Sequence, residues 1–430
     1  MKGAAQRGPA VRKLYTHTSL RLFFALCWFG YFSTYLGRLN LTACIAEISA
    51  SGLLSRTQLG YVSGAFFVCY GVGQLFSGLL ADRLCPRRLV GLGLLGSAAA
   101  NAGMALAGGA LPMALLWGAN GLVQALTWAP LVRTVTDLTR RQTCARICLN
   151  LATTTPAGTL AAYSLCVGAI ALGSWRGAFW AACAVLAAAG VLWLAGVGAL
   201  QRTAARDGIP DDGAGTGAAA GPAGLRPGPA AAALVPLGLA ATVHGLLREG
   251  ITTWAPSYLQ DTFGFPPAVS VALTMVLPLV NLFGVYLANA VNVRWLRSEP
   301  ATALACFGLC GACLLGWLLA GQSGALPALM LLAAATTCMT GVSTMLLSLL
   351  PLRFTGLGLA ATVTGVLNAL TYAGSALSGV GFGAISERWG WHAVAAAWCA
   401  SAAAGALLCA AGRRPWRALS RALRPGPPKR

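Results

Sequence analysis

The chain has 430 residues, of which 57% are hydrophobic and 9% charged. A water-soluble domain carries roughly 25% charged residues, so a soluble enzyme built around one core is excluded. The net charge of +20 would suit nucleic acid, but the basic residues sit between apolar runs and at the two ends, which points to a lipid bilayer and not to nucleic acid.

The N-terminus, MKGAAQRGPAVRKLYTHTS, is basic and then enters an apolar run with no small-residue cleavage site. That predicts an uncleaved first span rather than a signal peptide. Runs of the ~20 apolar residues that a bilayer requires lie at roughly 20–45, 57–81, 89–109, 111–135, 144–172 and 176–200. A second set lies at roughly 232–260, 267–290, 301–320, 324–351, 356–386 and 391–411. The fold class predicted is an all-α membrane protein of twelve transmembrane helices. Its parts are a six-helix bundle over 1–200, a flexible linker over 201–230, a second six-helix bundle over 231–412 and a basic tail over 413–430.

The first span contains YFSTYLGRLNLTA, residues 31–43. Placing Arg38 inside a bilayer costs about 2.5–3.5 kcal/mol on insertion scales, so a cavity, a counter-charge or a ligand must answer it. Tyr31, Thr34, Tyr35 and Thr42 lie at helical spacing from it, a hydroxyl-bearing stripe on one face. Guanidinium is a permanently charged planar fork that pairs with phosphate or carboxylate bidentately. Arg38 is therefore an anion-site candidate, with snorkelling or a structural pair as the alternative.

In the second span Tyr70 and Gln74 are one turn apart and can line the same cavity. Asp82 ends that span beside Arg83, Arg87 and Arg88. The set is either a gating latch or a topology marker. Cys306, Cys310 and Cys313 share a helical face without a zinc-type spacing, and they read as small buried side chains. No metal or cofactor is expected.

Between the two sets, QRTAARDGIPDDGAGTGAAAGPAGLRPGPA is rich in Gly, Ala and Pro and reads as linker. The seventh span carries Arg248, with His244 four residues before it and Thr252 four after. His244 either meets the same anion or packs between helices. Glu249 points about 100° away from Arg248 and either pairs with a neighbouring helix or couples protons. In the eleventh span Tyr372 stands in a polar patch with Asn368, Thr371 and Ser375.

Lysine and arginine collect on one set of loops and on both tails, while the opposite loops hold Arg56, Arg176 and Arg388. The positive-inside rule then places both termini and the linker in the cytoplasm. LFSGLLADRLCPRRL from Leu75 and LFGVYLANAVNVRWL from Leu282 are an internal repeat offset by 207 residues. The offset carries Arg38 to within three residues of Arg248, so the two arginines hold corresponding places in the two halves, as inverted or parallel repeats arrange a shared site.

GLLADRLCPRR, residues 78–88, resembles the cytoplasmic loop signature of the major facilitator superfamily. GYFSTYLGRLNL, YGVGQLFSGLLADR, GLVQALTWAPLVRT, SWRGAFW and LLREGITTWAPSYL resemble its organophosphate:phosphate antiporter branch. The resemblance implies twelve helices in two pseudo-symmetric bundles, the major facilitator fold, with alternating access around a central site. It implies a small anionic phosphorylated substrate held by Arg38 and Arg248, with inorganic phosphate as counter-substrate. Gln74 stands where that branch often has lysine, and Thr154 where it often has histidine. Expected site residues are thus Arg38, Arg248, Tyr31, Tyr35, Tyr70, Gln74, Thr154, His244 and Tyr372, with Asp82, Arg83, Arg87 and Arg88 gating and Glu249 coupling. The expected protein is a monomeric secondary transporter of the cytoplasmic membrane, not an enzyme. The alternatives are a sugar-phosphate sensor of the same fold and a proton-coupled exporter of metabolites or drugs.

Overall fold

The computed structural model describes residues 12–151, 153–210, 227–320, 323–354 and 359–422. The first half holds α1 (His17–Ala50), α2 (Arg56–Arg83), α3 (Pro86–Leu106), α4 (Ala110–Ala125), α5 (Trp128–Leu138), α6 (Arg141–Leu151), α7 (Thr154–Ala171) and α8 (Arg176–Asp207). The second holds α9 (Pro227–Phe263), α10 (Pro267–Thr274), α11 (Val276–Val291), α12 (Glu299–Ala320), α13 (Ala325–Ser343), α14 (Leu350–Leu352) and α15 (Ala360–Ala422). Short π-helical stretches, Asn292–Leu296 and Thr344–Leu349, follow α11 and α13. Two-residue strands β1 (Arg12–Lys13) and β2 (Ile209–Pro210) pair antiparallel and tie the segment before α1 to the end of α8.

Local chemistry sets the ends. Thr16 caps α1 by accepting from the Ser19 amide, and Ser55 with Gln58 forms a capping box at α2. Three spans are interrupted beside a proline, whose ring lacks the N–H that would reach the carbonyl four residues back. Pro130 interrupts α4 from α5 at Leu126–Thr127, Pro156 follows the gap between α6 and α7, and Pro278 follows the break at Met275 between α10 and α11. Within α15, Gly390 adopts φ 74° and ψ −174°, a positive φ that glycine takes without strain. It divides the eleventh span from the twelfth.

Joined across these breaks, the helices make the twelve expected spans in two pseudo-symmetric bundles. Among the described residues, seven stretches are long and apolar enough to cross a membrane, and Thr362–Ser420 holds two spans. The four spans outside that set are the first, fourth, fifth and seventh. The fourth and fifth are broken helices, and the first and seventh carry Arg38 and Arg248. Leu111, Leu115, Val191, Phe283, Leu309 and Leu407 are exposed, a belt that acyl chains cover.

The structure differs from the expected linker at both ends. α8 continues through Asp207 because Leu200 and Ala204 are buried, β2 follows, and α9 begins at Pro227; residues 211–226 lie outside the described residues. The expected basic tail is also partly helix. α15 runs to Ala422, with Trp416 buried and its indole N–H donating to Glu299 Oε2 at 3.2 Å. Glu299 also takes Arg353 Nη2 at 2.6 Å, and this polar clamp fixes the end of the twelfth span.

The halves meet along two seams related by the repeat: α2 runs along α15, and α7 runs against α10 and α11. The first seam is tightest near the start of α2. A Cβ on Gly60 would stand 2.3 Å from the Gly379 carbonyl oxygen, and one on Gly64 would stand 3.1 Å from that of Ala376. Small residues one turn apart let two backbones touch, as in close-packed membrane helices. Beyond this contact Arg56 pairs with Asp261, Trp391 Nε1 donates to Asp261 Oδ2 at 2.9 Å, and the Thr57 amide donates to Glu387 Oε2 at 3.0 Å. The two halves are closed on each other at this end. Partly exposed ion pairs contribute up to about 1 kcal/mol, so Asp261→Asn should shift the balance toward opening by about fivefold. A cysteine placed at buried Ser63 should then label faster with maleimide, and the charge swap Arg56→Asp with Asp261→Arg should restore slow labelling. Equal labelling rates in all three would make the pair incidental to closure.

Candidate functional site

Arg38 lies about two-thirds of the way along α1, surrounded by aromatic rings. Its guanidinium carbon is 4.6 Å from the Tyr35 ring centroid and 5.8 Å from that of Tyr70. Tyr31 meets Tyr35 edge to face at 5.6 Å, and Tyr70 meets Tyr372 at 4.8 Å. Tyr372 belongs to the second half, so the ring cluster spans both bundles. Tyr35 is fixed by a 2.8 Å hydrogen bond between its hydroxyl and that of Thr155. Among the described residues Arg38 has no carboxylate partner. Its charge is faced by π-systems and phenol oxygens, which solvate a cation without neutralising it.

Arg248 approaches the same cluster from α9, and the Tyr372 hydroxyl is within electrostatic reach of both Arg38 and Arg248. The Arg248 side chain is 45% exposed although it sits mid-helix among buried neighbours, so it opens into accessible space. Glu249 Oε2 stands 3.8 Å from Arg248 Nη2, too long for a hydrogen bond, and Glu249 is also within electrostatic reach of Tyr163 on α7. His244 is fully buried, and neither ring nitrogen meets a hydrogen-bonding partner among the described residues; it lies within electrostatic reach of Arg248. Tyr372 is placed by close helix packing: a Cβ on Gly374 would fall 1.8 Å from the Thr242 carbonyl oxygen, and Ser375 Oγ donates to the Gly245 carbonyl at 3.4 Å.

The other expected residues divide. Gln74 is half-buried one turn beyond Tyr70. Thr154 is fully buried and spends its hydroxyl on the Leu151 carbonyl at 2.6 Å; its neighbour Thr155 is the residue that reaches Tyr35. Arg83 and Arg88 are exposed and Arg87 is half-buried. Asp82 lies on the last turn of α2, and its side chain lies outside the described residues.

Two groups escaped the sequence reading. Trp128, at the α4–α5 break, packs on Tyr31 with centroids 4.6 Å apart. Behind Arg38 sits a buried amide network. Asn120 Nδ2 and Asn101 Nδ2 donate to the Gly37 carbonyl at 2.7 and 3.1 Å. Gln124 Nε2 donates to the Thr34 carbonyl at 3.2 Å and to Ser97 Oγ at 2.9 Å. Ser97 Oγ donates to Asn120 Oδ1 at 2.6 Å, and Asn40 Nδ2 to Asn101 Oδ1 at 2.7 Å. The network clamps the turn of α1 that carries Arg38 to α3 and α4. Asn120→Leu leaves buried partners unpaired at about 1–3 kcal/mol. It should lower the melting temperature by several degrees and transport by at least about tenfold. Unchanged transport in a variant that melts earlier would leave the network a purely structural one.

The family model described as Major Facilitator Superfamily matches residues 27–379. The chain is similar to the membrane sensor protein UhpC of Salmonella typhimurium, with 34% identity over 97 residues, 23% of this chain and 22% of that protein. It is similar to a probable hexose phosphate transport protein of Chlamydia muridarum, with 29% identity over 126 residues, 29% of this chain and 27% of that protein. The glycerol-3-phosphate transporter of Bacillus subtilis is 30% identical over 125 residues, 28% of each chain. The resemblance to the organophosphate:phosphate antiporter branch holds in these relatives, although the matched stretch spans only about a quarter of their length. In fold, a bacterial homolog of the human lysosomal transporter Spinster superposes with a TM-score of 0.73 at 15% identity, over 96% of this chain and 100% of that one.

Proposed function

The chain belongs to the major facilitator superfamily, membrane transporters and not enzymes, and on that premise we propose that it exchanges a small phosphorylated organic anion for inorganic phosphate. One observation carries this reading: Arg38 lies over the rings of Tyr35 and Tyr70, Tyr70 meets Tyr372 of the second half, and Arg38 has no carboxylate partner among the described residues. Two fixed positive charges, a ring of phenol donors and accessible space at Arg248 suit a dianion with several oxygens. The named substrates of the relatives, hexose phosphate and glycerol-3-phosphate, belong to that chemical class.

The seams support alternating access as the mechanism. The end closed by Gly60–Gly379 and Arg56–Asp261 is the outer gate, and the arginine-rich end faces the cytoplasm, with both termini, as the positive-inside rule orders it. The protein then acts as a monomer in the cytoplasmic membrane. The full-length sensor reading has one observation in its favour, the similarity to a membrane sensor protein. Proteoliposomes preloaded with phosphate and given labelled phosphate esters separate the two. Rapid ester uptake that depends on internal phosphate is expected. Binding without uptake would make the protein a sensor.

A further inference from the structure

A groove of about 420 Å³ opens at the arginine-rich end, away from the central site, lined by Arg87, Leu194, Gly198, Gln201, Arg202 and Ala205, with Ala195 beside them. Its walls are the first turn of α3 and the last turns of α8. Gly198 makes the groove what it is: a Cβ there would stand 2.0 Å from Arg87 Nη1, so the guanidinium lies across bare helix backbone. The Arg87 backbone is pinned by Trp193, whose indole N–H donates to its carbonyl at 3.0 Å. Arg87 Nε is buried and, among the described residues, has no hydrogen-bonding partner. Arg202 is exposed at the rim, and among the described residues no acidic residue lines the groove.

The groove has two kinds of wall. Arg87, Arg202 and Gln201 present donors at the end where α3 begins, and the positive end of that helix adds to them. Leu194, Ala195 and Gly198 continue toward the membrane interior as an apolar slot. A free phosphate would use only the first wall. A molecule with a phosphate head and an acyl chain uses both. We propose that this groove binds a phosphate group, and that its occupant is the headgroup of an anionic phospholipid whose chain lies along Leu194. Basic pockets between membrane helices take anionic headgroups by this chemistry, at about fivefold in affinity per arginine near the surface.

The test uses full-length protein in nanodiscs made from phosphatidylcholine with a minor fraction of phosphatidylglycerol, and native mass spectrometry counts the phosphatidylglycerol retained. Arg202→Gln should lower retention about fivefold, and the double variant Arg87→Gln with Arg202→Gln about 25-fold. Gly198→Leu should act like the double variant by filling the slot. Arg414→Gln, an exposed arginine on the same basic face but outside the groove, should leave retention as it is. The arginine variants keep the test sound if Gly198→Leu does not fold. Equal retention in the parent and the double variant overturns the site. Protection from thermal unfolding by inorganic phosphate that is lost in the Arg87→Gln with Arg202→Gln double variant, with none from phosphatidylglycerol, overturns the lipid as its occupant.

Discussion

Replacing Arg38 by lysine should lower phosphate exchange by roughly 100-fold, and Arg248→Lys should do the same, with the protein still inserted and folded. Charge is conserved in both variants. What goes is the planar fork that gives two parallel hydrogen bonds to one phosphate, and a hydrogen bond to a charged group is worth about 1.5–3 kcal/mol. Arg38 also stacks on Tyr35 and Tyr70, contacts that a compact ammonium makes less well. Equilibrium binding of a phosphate ester by calorimetry should weaken by the same factor as exchange. The double variant should be no worse than about the product of the two, since each arginine reaches the ligand from its own half. Exchange at the parental rate in either single variant would remove that arginine from the site.

The arginines were legible because a charge in an apolar run has few innocent explanations. Their correspondence was legible too, since the 207-residue offset brings Arg38 within three residues of Arg248. Other features left weaker traces. Asn101 and Asn120 are polar residues in apolar spans, and nothing in their spacing says that both reach the Gly37 carbonyl. Tyr70 and Tyr372 are about 300 residues apart, so their ring contact depends on which spans of opposite halves lie side by side. The helix ends were hidden by composition. QRTAARD reads as polar linker, yet alanine, arginine and glutamine are good helix formers, and buried Ala204 suffices to extend α8. Thr154 and Thr155 show the limit of alignment by resemblance: adjacent on a helix, they point in directions about 100° apart, and it is the second that reaches Tyr35.

Exchange should be fast and net uptake slow, and the reason returns to the two arginines. In the empty carrier, reorientation brings Arg38 and Arg248 together around a site that contains no anion. At an effective dielectric constant near 20, two unit charges about 8 Å apart repel by about 2 kcal/mol, which slows the empty step by roughly thirtyfold. A bound dianion cancels the repulsion and draws α1 and α9 inward, so the loaded carrier crosses more easily. Glu249 is the competing device. Its carboxylate lies 3.8 Å from Arg248, so a carboxylate charge there offsets part of the positive charge without any ligand. Glu249→Gln removes that offset. The empty carrier should then reorient more slowly still, and the ratio of counterflow to net uptake should rise. Proton coupling predicts the reverse pattern: net uptake driven by a pH gradient in the parent, lost in Glu249→Gln while exchange continues without pH dependence. Measuring counterflow and net uptake of labelled phosphate in the same proteoliposomes, with and without an imposed pH gradient, separates the two. Gradient-driven net uptake that vanishes in the variant would replace exchange by proton symport and make Glu249, not the arginine pair, the seat of coupling.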